Sequence, residues 1–268
     1  MNMVPAGELS EVQENKSIPL ITEERGMRSA QGRHQTAQSY RSVFGDAAQR
    51  IVERETNNIR RAAKKHLAER SLDNWQEWLN DFYRDFQDFM SRQIAPAVYG
   101  LTEAIQAIAA GEVGSDAGMT PEIDKFMRSY INAFSLRYTD SSRGQLEALV
   151  RESEESGEDM IAVVETRLGE WEDTRPGKVG MNETVQLSNA IAKVVFAGAG
   201  ITKLIWRTMG SKACPICQEM NGKVVGIEQP FVGKDTVLES EGQSPMRVYR
   251  PTSHPPLHQS CICTISPG

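Results

Sequence analysis

Two short stretches, Cys214-Pro-Ile-Cys217 and His254-Pro-Pro-Leu-His258-Gln-Ser-Cys261-Ile-Cys263, decide how the end of this chain folds. They contain all 4 cysteines of the chain, in two close pairs. Paired thiolates with an imidazole a few residues away are the donors that a tetrahedral Zn²⁺ site uses, and a C-x2-C turn brings two sulfurs to one ion. The pattern predicts a structural zinc ion that ties the two stretches together and stabilises a small domain.

Two other interpretations of the cysteines stay open at this point. Two disulfides would need an oxidising compartment, and Met1 to Ser10 lack the basic and apolar regions of a secretory signal. Four unrelated buried thiols are the second alternative, although scattered cysteines rarely fall into two close pairs. We therefore favour zinc over metal-free thiols, and metal-free thiols over disulfides.

The sequence does not decide which four donors bind the ion. Side chains alternate along an extended segment, so Cys261 and Cys263 point the same way and can complete a site of four thiolates. Alternatively, His258 replaces one thiolate, because H-x2-C is also a workable spacing. His254 lies next to two prolines and is interpreted as a turn residue before a ligand. The candidate metal ligands are Cys214, Cys217, His258, Cys261 and Cys263.

The order of the motifs favours a structural ion over a catalytic one. A catalytic zinc keeps an open coordination position and has a general base nearby. Zinc deaminases combine H-x-E with a later P-C-x-x-C, whereas this chain has Cys-Pro-Ile-Cys with no His-x-Glu before it. Glu219 is the only carboxylate close behind the first cysteine pair. We expect no catalytic residues and no enzyme activity.

Length and charge restrict the class of protein. The 268 residues are enough for one large domain or two modest ones, and 39% hydrophobic with 25% charged residues is typical of an ordinary soluble protein. A net charge of −6 argues against a protein that coats nucleic acid with its whole surface. No apolar stretch approaches the ~20 residues that span a bilayer, so we expect no membrane partner.

The part of the chain before the cysteine motifs is predicted to be elongated and mostly helical. Residues 1–38 are polar and lack a sustained period, so we expect a disordered segment or a tether. Over residues 39–176 apolar side chains recur at three- and four-residue steps, which predicts several amphipathic helices. The stripe Trp75, Leu79 and Phe86 is interpreted as core packing.

Capping residues, glycine and proline predict the helix boundaries. Ser71 and Thr120-Pro121 are start signals. Pro96 is expected to kink or break one helix, and Gly144 to interrupt another. The expected stops are the stretch Gly111–Gly118, Gly157 and a loop at Asp173–Gly177.

Residues 177–268 predict a small α+β domain that contains the metal site. A helix over about Gly180–Phe196 precedes an alternating run, Thr202–Thr208, that leads into the first cysteine pair. Asn221-Gly222 predicts a turn before a short strand, and Met246–Tyr249 predicts another strand. The fold class is therefore α+β, with an elongated helical region followed by a small α+β domain with a Cys/His metal knot.

Three side chains of this region have expected structural roles. Trp206 lies on the strand before the metal site and is expected to pack over it. Glu183 and Asn189 lie on the preceding helix and do not share a face cleanly. We expect them to cap the helix or to bond to the strand, and not to act in catalysis.

A combination of motifs in the last third of the chain resembles a known family. The motifs are Glu183-Thr184, Asn189-Ala190, Trp206-Arg-Thr, Cys214-Pro-Ile-Cys217, Asn221-Gly222-Lys223 and Pro255-Pro256-Leu257-His258-Gln-Ser-Cys261-Ile-Cys263. Together they resemble the Mu F-like minor head (head morphogenesis) domain of tailed bacteriophages. That domain ends in a Pro-rich segment and H-x-x-C-x-C, with a Trp on a strand before the first cysteine pair. The resemblance covers about residues 180–268, and the long stretch from Phe231 to Tyr249 departs from the shorter members.

The resemblance implies a structural protein of the virion. Members of the family are minor head components that associate with the portal vertex and act in head assembly or in the fate of packaged DNA. The implied partners are the portal protein, the major capsid protein or both, with non-specific contact to packaged DNA and several copies per virion. The implied location is the head interior or portal vertex, and the host cytoplasm during assembly.

Two other functions remain as alternatives. A metal-dependent nuclease or phage-borne toxin would use His254, His258, Glu219 and Asp235, but a site filled by three or four thiolates leaves no open position. A nucleic-acid-binding zinc finger would use basic residues around the cysteines, yet no recognition helix is recognisable. Those basic residues are Arg207, Lys212, Lys223, Lys234, Arg247 and Arg250.

Overall fold

Long helices followed by a small sheet make up the fold. The computed structural model describes residues 23–69, 71–210 and 213–268. Helices α1 to α6 are Glu23–Ser39, Arg41–His66, Leu72–Val113, Pro121–Ser156, Met160–Gly198 and the short Pro215–Met220. Strands β1 to β5 are Lys203–Arg207, Val224–Gly226, Val237–Leu238, Met246–Arg247 and Thr264–Pro267. The predicted α+β class, with a long helical region before a small sheet region, is confirmed.

Several helix boundaries lie where the capping signals predicted them. Helix α4 begins at Pro121, and the Thr120 hydroxyl accepts a hydrogen bond from the Ile123 amide at 3.3 Å. Helix α3 begins after Ser71 and ends at Gly114 with φ 68°, while α4 ends at Gly157 with φ 77°. Left-handed glycines of this kind let the last carbonyls of a helix find partners.

The helices continue through three predicted interruptions, so the breaks expected at Gly144 and Asp173–Gly177 are wrong, and Pro96 does not break its helix. Pro96 lies inside α3, Gly144 inside α4, and the predicted loop Asp173–Gly177 inside α5 together with Pro176. A proline removes one backbone hydrogen bond of a helix, but packing on both sides can outweigh that loss. In α5 this packing is a close approach to α2, where a Cβ on Gly180 would lie 2.6 Å from the Arg41 carbonyl oxygen. The boundary expected between residues 176 and 177 falls inside a continuous helix.

The N-terminal segment is more ordered than the sequence predicted. The tether expected over residues 1–38 overlaps α1, so the expectation is wrong for residues 23–38, and its first part, residues 1–22, lies outside the described residues. Helix α1 buries Gly26, Ala30, Arg33 and Ala37. This face consists of small residues and one arginine, so it carries no apolar stripe that a hydrophobic pattern would reveal.

Two hydrophobic cores lie along the molecule. The larger one is helical and includes Phe44, Trp75, Leu79, Met90 and Leu168. The second surrounds the sheet and contains Ala109 and Val113 of α3, Ala192 and Phe196 of α5, and Leu204, Trp206, Cys217, Cys261, Cys263 and Ile265. The ends of α3 and α5 therefore pass from one core into the other and form the base on which the cysteine region folds.

The main sheet has three antiparallel strands in the order β2-β1-β5. The predicted strand at Thr202–Thr208 is present as β1 and lies in the centre, with Trp206 opposite Ile265. Gly222, in the predicted turn, has φ 79°. The strand predicted at Met246–Tyr249 is the shorter β4, which pairs with β3 in a separate two-stranded sheet. Among the described helices, none has the length and apolar character needed to cross a membrane.

Candidate metal centre

The first cysteine pair lies at the start of the short helix α6. Cys214 is its N-cap residue with an extended backbone, and Pro215 follows as the first helical residue. The Cys217 amide donates to the Cys214 sulfur at 3.4 Å. The C-P-I-C sequence therefore folds into a turn whose two sulfurs point to the same side, as the C-x2-C spacing predicted.

The second set of donors lies on a turn before β5. The Cys261 amide donates to the His258 carbonyl oxygen at 3.1 Å, which closes a turn over two intervening residues. Ser260 in this turn has φ 65°, a conformation that few side chains adopt. The Ser260 amide donates to the Asn182 side chain of α5 at 3.2 Å, so the turn is held against the helix.

All five predicted metal donors meet in one cluster. The His258 Nε2 atom lies 3.1 Å from the Cys214 sulfur and 3.2 Å from the Cys217 sulfur. The Cys217 and Cys261 sulfurs are 3.7 Å apart. The donors form two triads, Cys214–Cys217–His258 and Cys217–Cys261–Cys263, in each of which the ligand atoms lie within 4.8 Å of one another. Because Cys217 belongs to both triads, the two sequence stretches meet at its sulfur.

The second nitrogen of His258 is bound to the backbone. Its Nδ1 atom lies 2.7 Å from the Gln259 carbonyl oxygen. A carbonyl oxygen only accepts hydrogen bonds, so Nδ1 is the donor in this contact and Nε2 is the nitrogen that could coordinate a metal. Nε2 faces two sulfurs, and an outer carbonyl that fixes the imidazole in this way is typical of metal-bound histidine.

The thiols of the cluster interact strongly with one another. Hydrogen bonding with Cys261, followed by hydrogen bonding with Cys263 and burial, raises the pKa of Cys217 well above its usual range. Hydrogen bonds with Cys217 and Cys263 lower the pKa of Cys261, against the effect of burial. A cation bound between these sulfurs would favour the ionised form of each thiol that it contacts.

The disulfide alternative does not describe this arrangement. All four cysteines are free, and the 3.7 Å between the Cys217 and Cys261 sulfurs far exceeds a disulfide bond of about 2.05 Å. Thiolate and imidazole donors suit soft and borderline transition-metal ions, whereas Mg²⁺ and Ca²⁺ prefer oxygen. The residues present therefore fit a metal ion of the first kind.

Asn189 fixes the strand that follows the second cysteine pair. Its amide nitrogen donates to the Cys263 carbonyl oxygen at 3.2 Å, and its oxygen accepts from the Ile265 amide at 2.9 Å. It also accepts from the Thr264 hydroxyl at 3.0 Å, all within a buried environment. Asn189 does bond to a strand, as expected, but the strand is β5 and not the Trp206 strand β1. The same expectation for Glu183 is wrong, since that carboxylate accepts from Tyr130 in the helical core.

Trp206 packs beside the metal donors, as predicted. The side chain is fully buried in the core that contains the cysteines, and its ring meets Phe231 edge-on with centroids 5.2 Å apart. The indole nitrogen has no hydrogen-bond partner at normal distance among the described residues, but it interacts with the Cys263 sulfur and opposes the rise in the pKa of that thiol. A buried N–H without an acceptor is rare, and this sulfur is the acceptor at hand.

The other residues considered for chemistry lie outside both triads. His254 donates from Nδ1 to the Pro255 carbonyl at 2.7 Å, and burial lowers the pKa of its imidazole. The Glu219 carboxylate accepts from the Ser240 hydroxyl at 2.7 Å, and Asp235 pairs with Arg247 at 2.9 Å. A cavity of about 600 Å³ between α3, the start of α4 and the end of α5 is lined by none of the five metal donors.

Arg33 connects α1 to this region, and no motif in the sequence predicts this role. Arg33 is fully buried, pairs with the equally buried Glu112 of α3, and donates to the Ile265 carbonyl oxygen of β5. Its guanidinium also lies 5.2 Å from the Phe196 ring centroid. Burial lowers the pKa of Arg33 to about 9. The only signal in the sequence is its spacing with Ala30 and Ala37 on one face of a helix.

Comparison with known proteins identifies no relative: no family model matches this chain, and neither a curated protein nor a solved structure matches it.

Proposed function

We propose that this chain is a structural protein whose C-terminal region is held together by one Zn²⁺ ion. The observation that carries the proposal is the convergence of two sequence-distant turns on the Cys217 sulfur, with Nε2 of His258 3.1 Å from the Cys214 sulfur and 3.2 Å from the Cys217 sulfur. Zinc is the ion that combinations of thiolate and imidazole most often hold in closed structural sites. The ion would supply rigidity to a region with short strands and a small core.

Metal analysis of the purified full-length protein tests the zinc site. We expect about one zinc per chain, as a single closed site requires, and its loss in Cys214→Ser. The matched control is His254→Ala, which changes a nearby histidine outside both triads and should keep the ion. A wild-type protein that is folded and free of transition metal would overturn the proposal.

We further propose that the protein is a minor head component of a tailed bacteriophage. It would associate with the portal vertex and act in head assembly or in the packaging or delivery of DNA. The support is the motif combination within residues 180–268, above all Trp206 before the first cysteine pair and His258, Cys261 and Cys263 after a Pro-rich segment. Partners would be the portal protein, the major capsid protein or both, at several copies per virion.

A structural role is also supported by what surrounds the ion site. Glu219 and Asp235, the carboxylates that a hydrolytic reaction would need, are bonded to Ser240 and Arg247. A metal-dependent nuclease or toxin requires a base that reaches a metal-bound water. Replacing His254 and Glu219 by alanine separates the two functions, since the structural proposal expects unchanged folding and virion yield and an enzyme would lose its activity.

Incorporation into virions tests the head-protein proposal. In the phage that encodes the chain, we expect the wild-type protein to copurify with mature heads and a Cys217→Ser variant to be depleted from them. The control is Cys217→Ser measured for solubility in the same lysate, so that degradation is distinguished from failure to assemble. A stable wild-type protein that stays outside every head fraction would contradict the proposal.

A further inference from the structure

We infer that Cys214, Cys217, His258 and Cys261 are the four ligands of the ion and that Cys263 stays outside as a thiol. This inference rests on the proposed metal site and decides which of its five donors bind. A C-x2-C turn and an H-x2-C turn would then each supply two ligands to one ion.

The two turns have matching geometry. Each holds two donors separated by two residues, and in each the backbone amide of the second donor residue bonds back to the first. Cys217 donates to the Cys214 sulfur at 3.4 Å, and Cys261 donates to the His258 carbonyl at 3.1 Å. Cys263 lies beyond the second turn, next to β5. The two turns therefore supply four donors without it.

His258 already occupies a ligand position. Its Nε2 lies within 3.2 Å of both sulfurs of the first turn, and Nδ1 is fixed on the Gln259 carbonyl. A site of four thiolates would have to displace this imidazole from between Cys214 and Cys217. The imidazole would then lose its contacts to both sulfurs.

Cys263 is held by other bonds. Its sulfur donates to the Thr208 hydroxyl at 3.9 Å, and its carbonyl accepts from Asn189 at 3.2 Å. The triads group Cys261 and Cys263 alike with Cys217 and neither with Cys214 or His258, whereas the 3.7 Å contact between sulfurs joins Cys217 to Cys261. Strand β5 begins at the next residue and is paired with β1. This pairing fixes the backbone beside Cys263, whose sulfur lies within 4.8 Å of the Cys217 sulfur.

The charge of the site favours the same four donors. Three thiolates around a divalent cation leave one net negative charge, whereas four thiolates leave two. Cys217, Cys261 and Cys263 are all buried in the core, where each unpaired charge is unfavourable. A neutral imidazole in place of the fourth thiolate lowers that penalty. The ligand class is therefore a borderline divalent ion such as Zn²⁺ or Co²⁺.

Cobalt replacement in the full-length protein tests the assignment, because Co²⁺ reports each bound sulfur through thiolate-to-metal charge-transfer absorption. We expect the intensity of Cys263→Ser to equal that of the wild type. Cys261→Ser should lose about a third of it, since one of three metal–sulfur bonds disappears. His258→Cys should gain about a third and keep its ion, because a fourth thiolate replaces the imidazole.

The possible outcomes distinguish an error in the choice of ligands from the absence of a metal site. A wild-type protein that binds neither Co²⁺ nor Zn²⁺ overturns both. If the wild type binds Co²⁺ but Cys263→Ser loses about a fourth of the charge-transfer intensity and His258→Ala loses none, four thiolates hold the ion. The ligand assignment is then wrong while the structural metal site stands. His258→Cys and Cys263→Ser also decide the question if Cys261→Ser fails to fold.

Discussion

Cys217 is the residue at which the two ends of the cysteine region meet. Its sulfur lies 3.2 Å from His258 Nε2 and 3.7 Å from the Cys261 sulfur, and it belongs to both triads. No other donor in the cluster of described residues does so. The consequences of replacing single donors should therefore differ, although the sequence presents the cysteines as equivalent pairs.

Replacing Cys217 should have the largest effect on stability. We expect Cys217→Ser to lose the ion and to lower the free energy of unfolding by about 4 kcal/mol or more, a size typical of a lost metal. Denaturant unfolding with and without a chelator measures this. In the variant the chelator should change nothing, whereas in the wild type it should lower the midpoint. An equal chelator effect in both proteins would contradict the prediction.

Asn189 is the residue that anchors the strand behind the site. Asn189→Ala would leave the Ile265 amide and the Thr264 hydroxyl without their buried partner, so we expect a loss of about 2–4 kcal/mol in the free energy of unfolding. The matched control is Asn58→Ala. Asn58 is partly exposed and makes one bond at the surface to the Arg54 carbonyl, so its replacement should change stability by less than about 0.5 kcal/mol. Similar losses in both variants would contradict the role of Asn189.

The sequence identified the individual metal donors but not the residues that hold them in place. Thiol and imidazole spacing is a local property, so Cys214 to Cys263 could be picked out before any fold was known. Arg33 and Glu112 could not be, because an arginine on an alanine-rich helix gives no sign that it will be buried. Its burial depends on a carbonyl in β5 that lies 232 residues away.

Helix α5 is the element that joins the two cores. It carries Leu168 in the helical core and Phe196 in the core of the sheet. Capping signals predicted the ends of α3 and α4 well because they act within a few residues. The predicted loop at Asp173–Gly177 failed because Arg175 reaches the buried Glu55 of α2 at 3.2 Å. A local sequence pattern does not reveal such a tertiary contact. Its stabilising effect outweighs the cost of a proline inside the helix.

The contact between α2 and α5 should depend on pH. Hydrogen bonds from Arg60 lower the pKa of Glu172 from its usual 4.5. A carboxyl with a lowered pKa in the folded state stabilises the protein above its unfolded-state pKa, and this stabilisation is lost as the pH falls through the folded-state value. Because Glu172 is partly exposed, we expect Glu172→Gln to cost less than about 1 kcal/mol at pH 7.

Urea unfolding at neutral and acidic pH measures this contribution. The difference between wild type and Glu172→Gln should be present at neutral pH and should shrink below pH 4.5. Glu152→Gln is the control, an exposed carboxylate on α4. A difference for Glu172→Gln that stays constant over this pH range would argue against the Arg60–Glu172 pair as its source.

Contacts between α1 and the sheet join the first described helix to the last strand of the molecule. Arg33 links the two elements through the Ile265 carbonyl, and Arg207 of β1 pairs with Glu23 at 3.3 Å while donating to Ser266 at 2.9 Å. The small sheet and the metal donors thus depend on the first described helix as well as on α3 and α5. The fold class was predictable from the periodicity of apolar residues, but these contacts between α1 and the sheet were not.

Replacing Arg33 tests how much the contacts of α1 contribute to stability. Arg33→Ala leaves Glu112 as an uncompensated buried charge, so we expect a loss of about 3–5 kcal/mol in the free energy of unfolding. Arg28→Ala is the matched control on the same helix, because its pair with Glu24 is exposed and should contribute about 0–1 kcal/mol. Thermal unfolding of both variants gives the comparison. An Arg33→Ala protein as stable as Arg28→Ala would show that α1 does not stabilise the fold.

The contact between Arg33 and Ile265 also sets an order of events during translation. Helix α1 is synthesised long before β5, and its buried arginine cannot bind the Ile265 carbonyl until residue 265 has been added. Cys214 and Cys217 likewise require His258 and Cys261, which follow them in the chain. The nascent polypeptide should therefore acquire its ion and the contact between α1 and β5 at nearly the same point of synthesis.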